Sequence, residues 1–209
     1  MRSWLSALLS CSLPLSYGGK ALRVGICGAS GSGKTALLRE ILLKIPQQTG
    51  TCRNLVYAPY PGPYGRHCRT MGEIRASLVR RASTTIITDP ELYRAVMPEV
   101  LARGQIMLVM DEAHELYPRQ RPDATMTKIL REGRNLGIGL IWATQRPTAC
   151  HTDLLGISQG IVIGRLIGLA DIAYSRQWGV NDQPLPNYKF RVILPGMDHP
   201  PAEIESLRY

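Results

Sequence analysis

Eight consecutive residues, Gly28-Ala29-Ser30-Gly31-Ser32-Gly33-Lys34-Thr35, satisfy the spacing G-x-x-x-x-G-K-[ST] without a departure. The glycines let backbone N–H groups turn inward around a phosphate, in conformations that a Cβ resists. A helix opening near Lys34 would aim its positive end at the same point. In this reading residues Gly28 to Thr35 cradle the phosphates of ATP. Lys34 supplies a charge for the β and γ phosphates, and the Thr35 hydroxyl ligates Mg2+. An apolar strand before the motif and a helical pattern after it give the context that such a loop needs.

A second pair of chemical residues ends an apolar run, Ile106-Met107-Leu108-Val109-Met110-Asp111-Glu112. At the end of a buried strand, Asp111 can hold the magnesium ion directly or through water. Glu112, one residue further, can reach the attacking water as general base. The expectation is that this carboxylate stands on the strand adjoining the phosphate loop. Many nucleotide kinases lack the second acid, so Glu112 favours hydrolysis by water. Asp111-Glu112-Ala113-His114 also spells a helicase DEAH box, but those helicases need two such domains and further motifs not found here. His114 is read as a supporting or surface residue.

The elements that must position these groups alternate in type. Leu22–Cys27, Asn54–Ala58, Thr84–Thr88, Gln105–Met110, Gly139–Thr144, Ile161–Ile163 and Phe190–Ile193 read as strands, most of them apolar on both faces. Helices are expected over Lys34–Ile45, stopped by Pro46, and from Pro90, behind an Asp89 cap, to about Arg103. Further helices are expected from an Asp123 cap to Asn135, stopped by Gly137, and over Ala170–Trp178, closed by Gly179. Pro59 to Arg69 reads as loop or polyproline segment. The pattern predicts an α/β fold whose mostly parallel central sheet is flanked by helices on both faces, with ligands beyond the carboxyl ends of its strands.

At 209 residues, the chain is expected to form one domain, residues 21–197, with an N-terminal arm over 1–20 and a C-terminal tail over 198–209. The arm is apolar from Trp4 to Leu15 and faintly resembles a signal peptide, but it is short and broken by Pro14. It is expected to pack on the core or on a neighbouring subunit. The Pro200-Pro201 pair suggests a tail that crosses to a neighbour or a capsid. No run reaches the roughly 18 apolar residues of a membrane span. The five cysteines (11, 27, 52, 68 and 150) include no CxxC pair, which argues against a disulfide framework or a zinc ribbon. The net charge is +9, and arginine supplies most of the basic residues, a balance suited to phosphate as nucleotide or backbone.

One further block carries a specific resemblance. Arg134-Asn135-Leu136-Gly137-Ile138 to Ala143-Thr144-Gln145-Arg146-Pro147, together with Ala29–Thr35 and the Asp111-Glu112 pair, resembles the HerA/FtsK superfamily of ring-shaped DNA-pumping ATPases. The length is most similar to that of the packaging ATPases of membrane-containing icosahedral viruses. The resemblance spans roughly Val24 to Pro147 and implies a RecA-like P-loop NTPase fold. It implies that Gln145 is a polar sensor at a strand end, where an amide can donate to the γ-phosphate and accept from the attacking water. It also implies an arginine that completes a neighbouring subunit's site, with Arg131 and Arg134 the candidates and Arg146 third.

The implied activity is ATP hydrolysis coupled to translocation of double-stranded DNA without sequence preference, by a homo-oligomeric ring, with a hexamer the expected count. A capsid or portal vertex is a further expected partner, and the host cytoplasm or the virion vertex the expected place. The segment Tyr60 to Arg75 is the leading DNA-contacting candidate, through Arg66, His67, Arg69 and Arg75, with Arg80-Arg81 and Arg119-x-Arg121 behind it. A conjugation or filamentous-phage assembly ATPase and an ATP-binding assembly switch are the alternatives. A small-molecule kinase is disfavoured by Glu112, and no LSGGQ-like segment of the ABC type is present.

Overall fold

The computed structural model describes residues 21–49, 53–60, 65–80, 83–120, 123–178, 185–193 and 202–205. The N-terminal arm and most of the C-terminal tail lie outside them. The strands are β1 (Arg23–Cys27), β2 (Arg53–Tyr57), β3 (Arg66–His67), β4 (Thr84–Ile87), β5 (Ile106–Met110), β6 (Gly139–Thr144), β7 (Gly160–Ile163), β8 (Lys189–Ile193) and β9 (Ala202–Glu205). The helices are α1 (Lys34–Thr49), α2 (Met71–Val79), α3 (Pro90–Arg103), α4 (Ala113–Leu116), α5 (Ala124–Glu132), α6 (Thr152–Gly156) and α7 (Leu169–Arg176).

The strands form one sheet in the order β3-β4-β2-β5-β6-β1-β7-β8-β9. Every pairing from β3 to β7 is parallel, and β8 and β9 add antiparallel. The parallel core follows from strands that are buried on both faces, as in β1, β5 and β6. Side chains alternate between two cores. Leu108, Met110, Leu140 and Trp142 meet Tyr93, Val96, Met97 and Val100 of α3 and Met126, Ile129 and Leu130 of α5. Val109, Ile141 and Ala143 meet Leu37, Leu38, Ile41 and Leu42 of α1 on the opposite face. Each large aliphatic or aromatic side chain buried this way contributes about 1.5–3 kcal/mol.

Close packing beneath the site depends on one glycine. Gly25 of β1 faces Trp142 of β6 across the parallel pair, and a Cβ at Gly25 would lie 2.3 Å from Cζ2 of Trp142. The indole is fully buried, and its Nε1–H donates to Ser158 Oγ at 2.9 Å.

Several elements differ from the sequence reading. Helix α1 continues past Pro46 to Thr49. A proline forfeits one intrahelical bond but can kink a helix without ending it, and Pro98 is likewise carried inside α3. Residues 66–67, expected as loop, pair with β4 as a short edge strand. The α5 helix ends at Glu132 and tightens into a 3-10 turn, Gly133–Leu136, before Gly137 stops it with φ 72°. Part of the expected tail, 202–205, returns to the sheet as β9. Helix α2 was not anticipated, although Thr70 and Glu73 form a reciprocal capping box at its start.

Candidate nucleotide-hydrolysis site

The phosphate loop leaves the carboxyl end of β1 and enters α1 at Lys34. Both flanking strands brace it. The Gly28 N–H donates to the Thr144 carbonyl at the end of β6 (3.1 Å), and the Ala29 N–H donates to the Arg165 carbonyl beyond β7 (2.6 Å). The Tyr188 N–H, ahead of β8, donates to the Ser32 carbonyl (2.8 Å). Gly31 and Gly33 take φ values of 73° and 96°, the left-handed region that glycine enters freely. A Cβ at Gly28 would lie 2.6 Å from Ser32 Oγ, inside the turn.

These groups fit a polyanion. The Lys34 ammonium folds back into the loop and donates to the Ala29 carbonyl at 3.1 Å. Burial lowers its pKa, while the Glu112 and Asp111 carboxylates act in the opposite direction. The Ser32 hydroxyl is buried without a hydrogen-bond partner. A buried cation, an unpartnered hydroxyl and a helix N-terminus at one glycine turn are the chemistry of a triphosphate site.

Thr35 and Asp111 meet on the same side. Thr35 Oγ1 and Asp111 Oδ2 are 3.5 Å apart, a separation that two oxygen ligands of one cation can adopt. Burial first, and the Glu112 charge second, push the Asp111 pKa up to about 6. A divalent cation supplies the positive charge that would favour the ionised form. The pair therefore fits Mg2+.

Glu112 stands at the turn into α4 with a left-handed backbone, φ 58° and ψ 55°. For a residue with a Cβ this conformation costs on the order of 1 kcal/mol and persists only where its surroundings impose it. Its Oε2 accepts from the Gln145 main-chain N–H at 3.3 Å and lies 3.4 Å from His114 Nδ1. The structure thus brings Lys34, Thr35, Asp111, Glu112 and Gln145 to one end of the sheet. It corrects the expected neighbourhood, because β6 lies between β1 and β5. The acids face the phosphate loop across that strand: Thr144, its last residue, meets the loop, and Gln145, just after it, meets Glu112. Gln145 meets Glu112 through its main chain.

The candidate arginines lie elsewhere. Arg23, the first residue of β1, donates through its guanidinium to the carbonyls of Leu130 and Ile129 near the end of α5. Burial and the adjacent Arg134 charge lower the Arg23 pKa to about 10. Arg131 and Arg134 therefore sit near the opposite end of β1 from the phosphate loop. They do not belong to the site of their own chain. Arg146 is exposed directly after Gln145.

Of the nucleic-acid candidates, Arg66, His67 and Arg69 are exposed at the β3 edge. That edge is five strand spacings from β1, about 24 Å at ~4.8 Å each. Arg75 is not in a loop; it lies on α2 and pairs with Glu99 at 2.7 Å. Residues 61–64 and the candidates Arg81 and Arg121 lie outside the described residues. Sequence reasoning missed Thr144, whose signal was a polar residue closing an apolar strand. It also missed the backbone contacts of Arg165 and Tyr188, which have no local signature.

Comparison with known proteins agrees with this geometry. The AAA domain family matches residues 21–147. A probable DNA double-strand break repair helicase HerA of Methanocaldococcus jannaschii is 32% identical over 114 residues, 53% of this chain and 22% of that protein. The DNA double-strand break repair helicase HerA of Pyrococcus furiosus is 31% identical over 90 residues, 39% of this chain and 16% of that one. The chain thus matches less than a quarter of the length of these relatives. The genome packaging NTPase B204 from Sulfolobus turreted icosahedral virus 2, in complex with sulfate, superposes with a TM-score of 0.73 at 15% identity, covering 91% of this chain and 98% of that one. The same protein with AMPPCP gives 0.70 at 15% identity over 90% and 98%. The pCW3 conjugation coupling protein TcpA with ATPgS gives 0.60 at 18% identity over 90% and 60%. At these identities the structures establish a shared P-loop NTPase fold. The chain belongs to the AAA domain family and has a P-loop NTPase fold, with a stretch of sequence similar to part of the HerA helicases.

Proposed function

We propose that the chain hydrolyses ATP and couples the hydrolysis to movement of double-stranded DNA, as a genome-packaging motor built from a ring of identical subunits. The observation that carries the hydrolytic part is the Glu112 carboxylate, held by the Gln145 N–H at the end of the sheet where Lys34 and Thr35 line the phosphate loop. Inward amides and Lys34 bind and orient the triphosphate. Glu112 takes a proton from the water that attacks the terminal phosphorus. A magnesium ion on Thr35 and Asp111 would offset charge on the phosphate oxygens. The Gln145 side chain follows Thr144 out of β6 and is proposed to contact the γ-phosphate.

The motor part rests on likeness. The B204 match covers nearly all of both chains, and that protein is described as a genome packaging NTPase. Arg131 or Arg134, remote from the site of their own chain, suit a finger that reaches a neighbour's nucleotide. Exposed Arg66, His67 and Arg69 suit phosphate-backbone contacts that read no sequence. The fold likeness to the conjugation coupling protein keeps a conjugative motor as the second reading. Among the described residues no helix is long and apolar enough to cross a membrane. The test is the steady-state ATPase rate with and without duplex DNA of unrelated sequences. Stimulation by every duplex supports a translocase. Turnover indifferent to DNA supports an ATP-driven assembly switch instead.

A further inference from the structure

Among the described residues His114 is the imidazole beside the proposed base, and the hydrolytic roles leave it unused. Its Nδ1 lies 3.1 Å from Thr144 Oγ1 and 3.4 Å from Glu112 Oε2. It is therefore shared between the proposed base and the strand that braces the phosphate loop. Thr144 ties the two together. Its side chain is fully buried, its carbonyl accepts from the Gly28 N–H of the loop, and its hydroxyl accepts from the Arg146 N–H. That last bond leaves the Thr144 hydroxyl hydrogen for His114 Nδ1 or the Cys150 thiol, both within reach. A ring nitrogen carries a hydrogen or a lone pair, so it can serve Glu112 as donor or Thr144 as acceptor but not both at once. The Gln145 N–H at 3.3 Å holds the same carboxylate oxygen. Glu112 Oε2 thus has two nitrogens within reach, the main-chain N–H of Gln145 and Nδ1 of His114.

We propose that His114 is the positioning residue for Glu112. Its Nδ1–H holds the carboxylate toward the attacking water; in the other neutral tautomer, reached when Nδ1 gives its proton to solvent and Nε2 takes one from solvent, Nδ1 accepts from the Thr144 hydroxyl and the carboxylate is released. Loop and base are thereby linked through Thr144, whose carbonyl accepts from the Gly28 N–H of the phosphate loop and whose hydroxyl competes for the imidazole. This inference rests on the reading of Glu112 as base.

The test is ATP turnover and analogue affinity of the full chain carrying His114→Ala, His114→Asn or His114→Gln, beside Glu112→Gln. Asparagine places an amide N–H close to Nδ1, whereas glutamine places it near Nε2. His114→Ala is expected to lower kcat about 10- to 100-fold, as small misplacements of reacting groups do. Its KM and its affinity for a non-hydrolysable analogue should stay within about threefold. His114→Asn should recover most of the rate, and His114→Gln should not. Wild-type kcat in His114→Ala overturns the inference while leaving Glu112 in its role. Equal losses in all three variants, with analogue binding intact, assign His114 to packing and also overturn it. Full turnover in Glu112→Gln removes the base itself, and this inference with it.

Discussion

The main-chain N–H of Gln145 holds Oε2 of Glu112 at 3.3 Å, so the residue just after β6 is tied to the turn that follows β5. The strand that makes this contact also accepts the Gly28 N–H through Thr144. Base and phosphate loop are therefore connected through one intervening strand, and a shift of either is felt by the other.

Lys34→Ala and Thr35→Ala separate phosphate from metal. Lys34 is the buried cation of the loop, so its loss should weaken ATP binding at least about 100-fold. Thr35→Ala removes only a cation ligand. It should retain magnesium-free nucleotide binding while losing most of the gain that magnesium gives. Titration calorimetry with and without magnesium checks both.

Asp111 predicts a pH-dependent stability of defined sign. Its pKa is raised to about 6, chiefly by burial, so the folded chain holds that proton more tightly than the unfolded chain. The contribution of Asp111 to stability is greatest below the unfolded pKa near 3.9 and is lost as pH rises through about 6. Without magnesium, Asp111→Asn should therefore stabilise the protein by about 1–3 kcal/mol at about pH 7.5, and by much less at about pH 4. Denaturant titrations at the two pH values check this, and the variant should have lost magnesium-dependent turnover.

Gly25→Ala tests packing beneath the site. Its Cβ would meet the Trp142 ring at 2.3 Å, between two central strands that cannot separate without breaking their ladder. Overpacking of this kind costs about 1–3 kcal/mol or more. The midpoint of denaturant unfolding should fall accordingly.

Arg66→Ala with Arg69→Ala should weaken duplex binding evenly across sequences and reduce its salt slope by about 2. Arg75→Ala should change it little, because that guanidinium is engaged by Glu99. Filter binding over a salt series distinguishes the two.

The site was legible where chemistry demands particular residues at fixed spacing. Gly28–Thr35 and Asp111-Glu112 announced themselves because few other sequences can cradle phosphate or end a buried strand in two acids. Strand order was not legible, since insertion of β6 between β1 and β5 depends on long-range pairing that no local pattern encodes. The Arg75–Glu99 pair joins residues 24 positions apart, so Arg75 read as a free basic group. The left-handed backbone at Glu112 was hidden for another reason: the sequence there carries no glycine or asparagine to mark it.

The central claim is that Glu112 is the base acting on a nucleotide held by the Lys34 loop. It is tested most directly by ATP turnover and analogue affinity of Glu112→Gln measured side by side. Turnover is expected to fall about 100-fold or more with affinity unchanged. Turnover at the wild-type rate, with the nucleotide still bound, would contradict it.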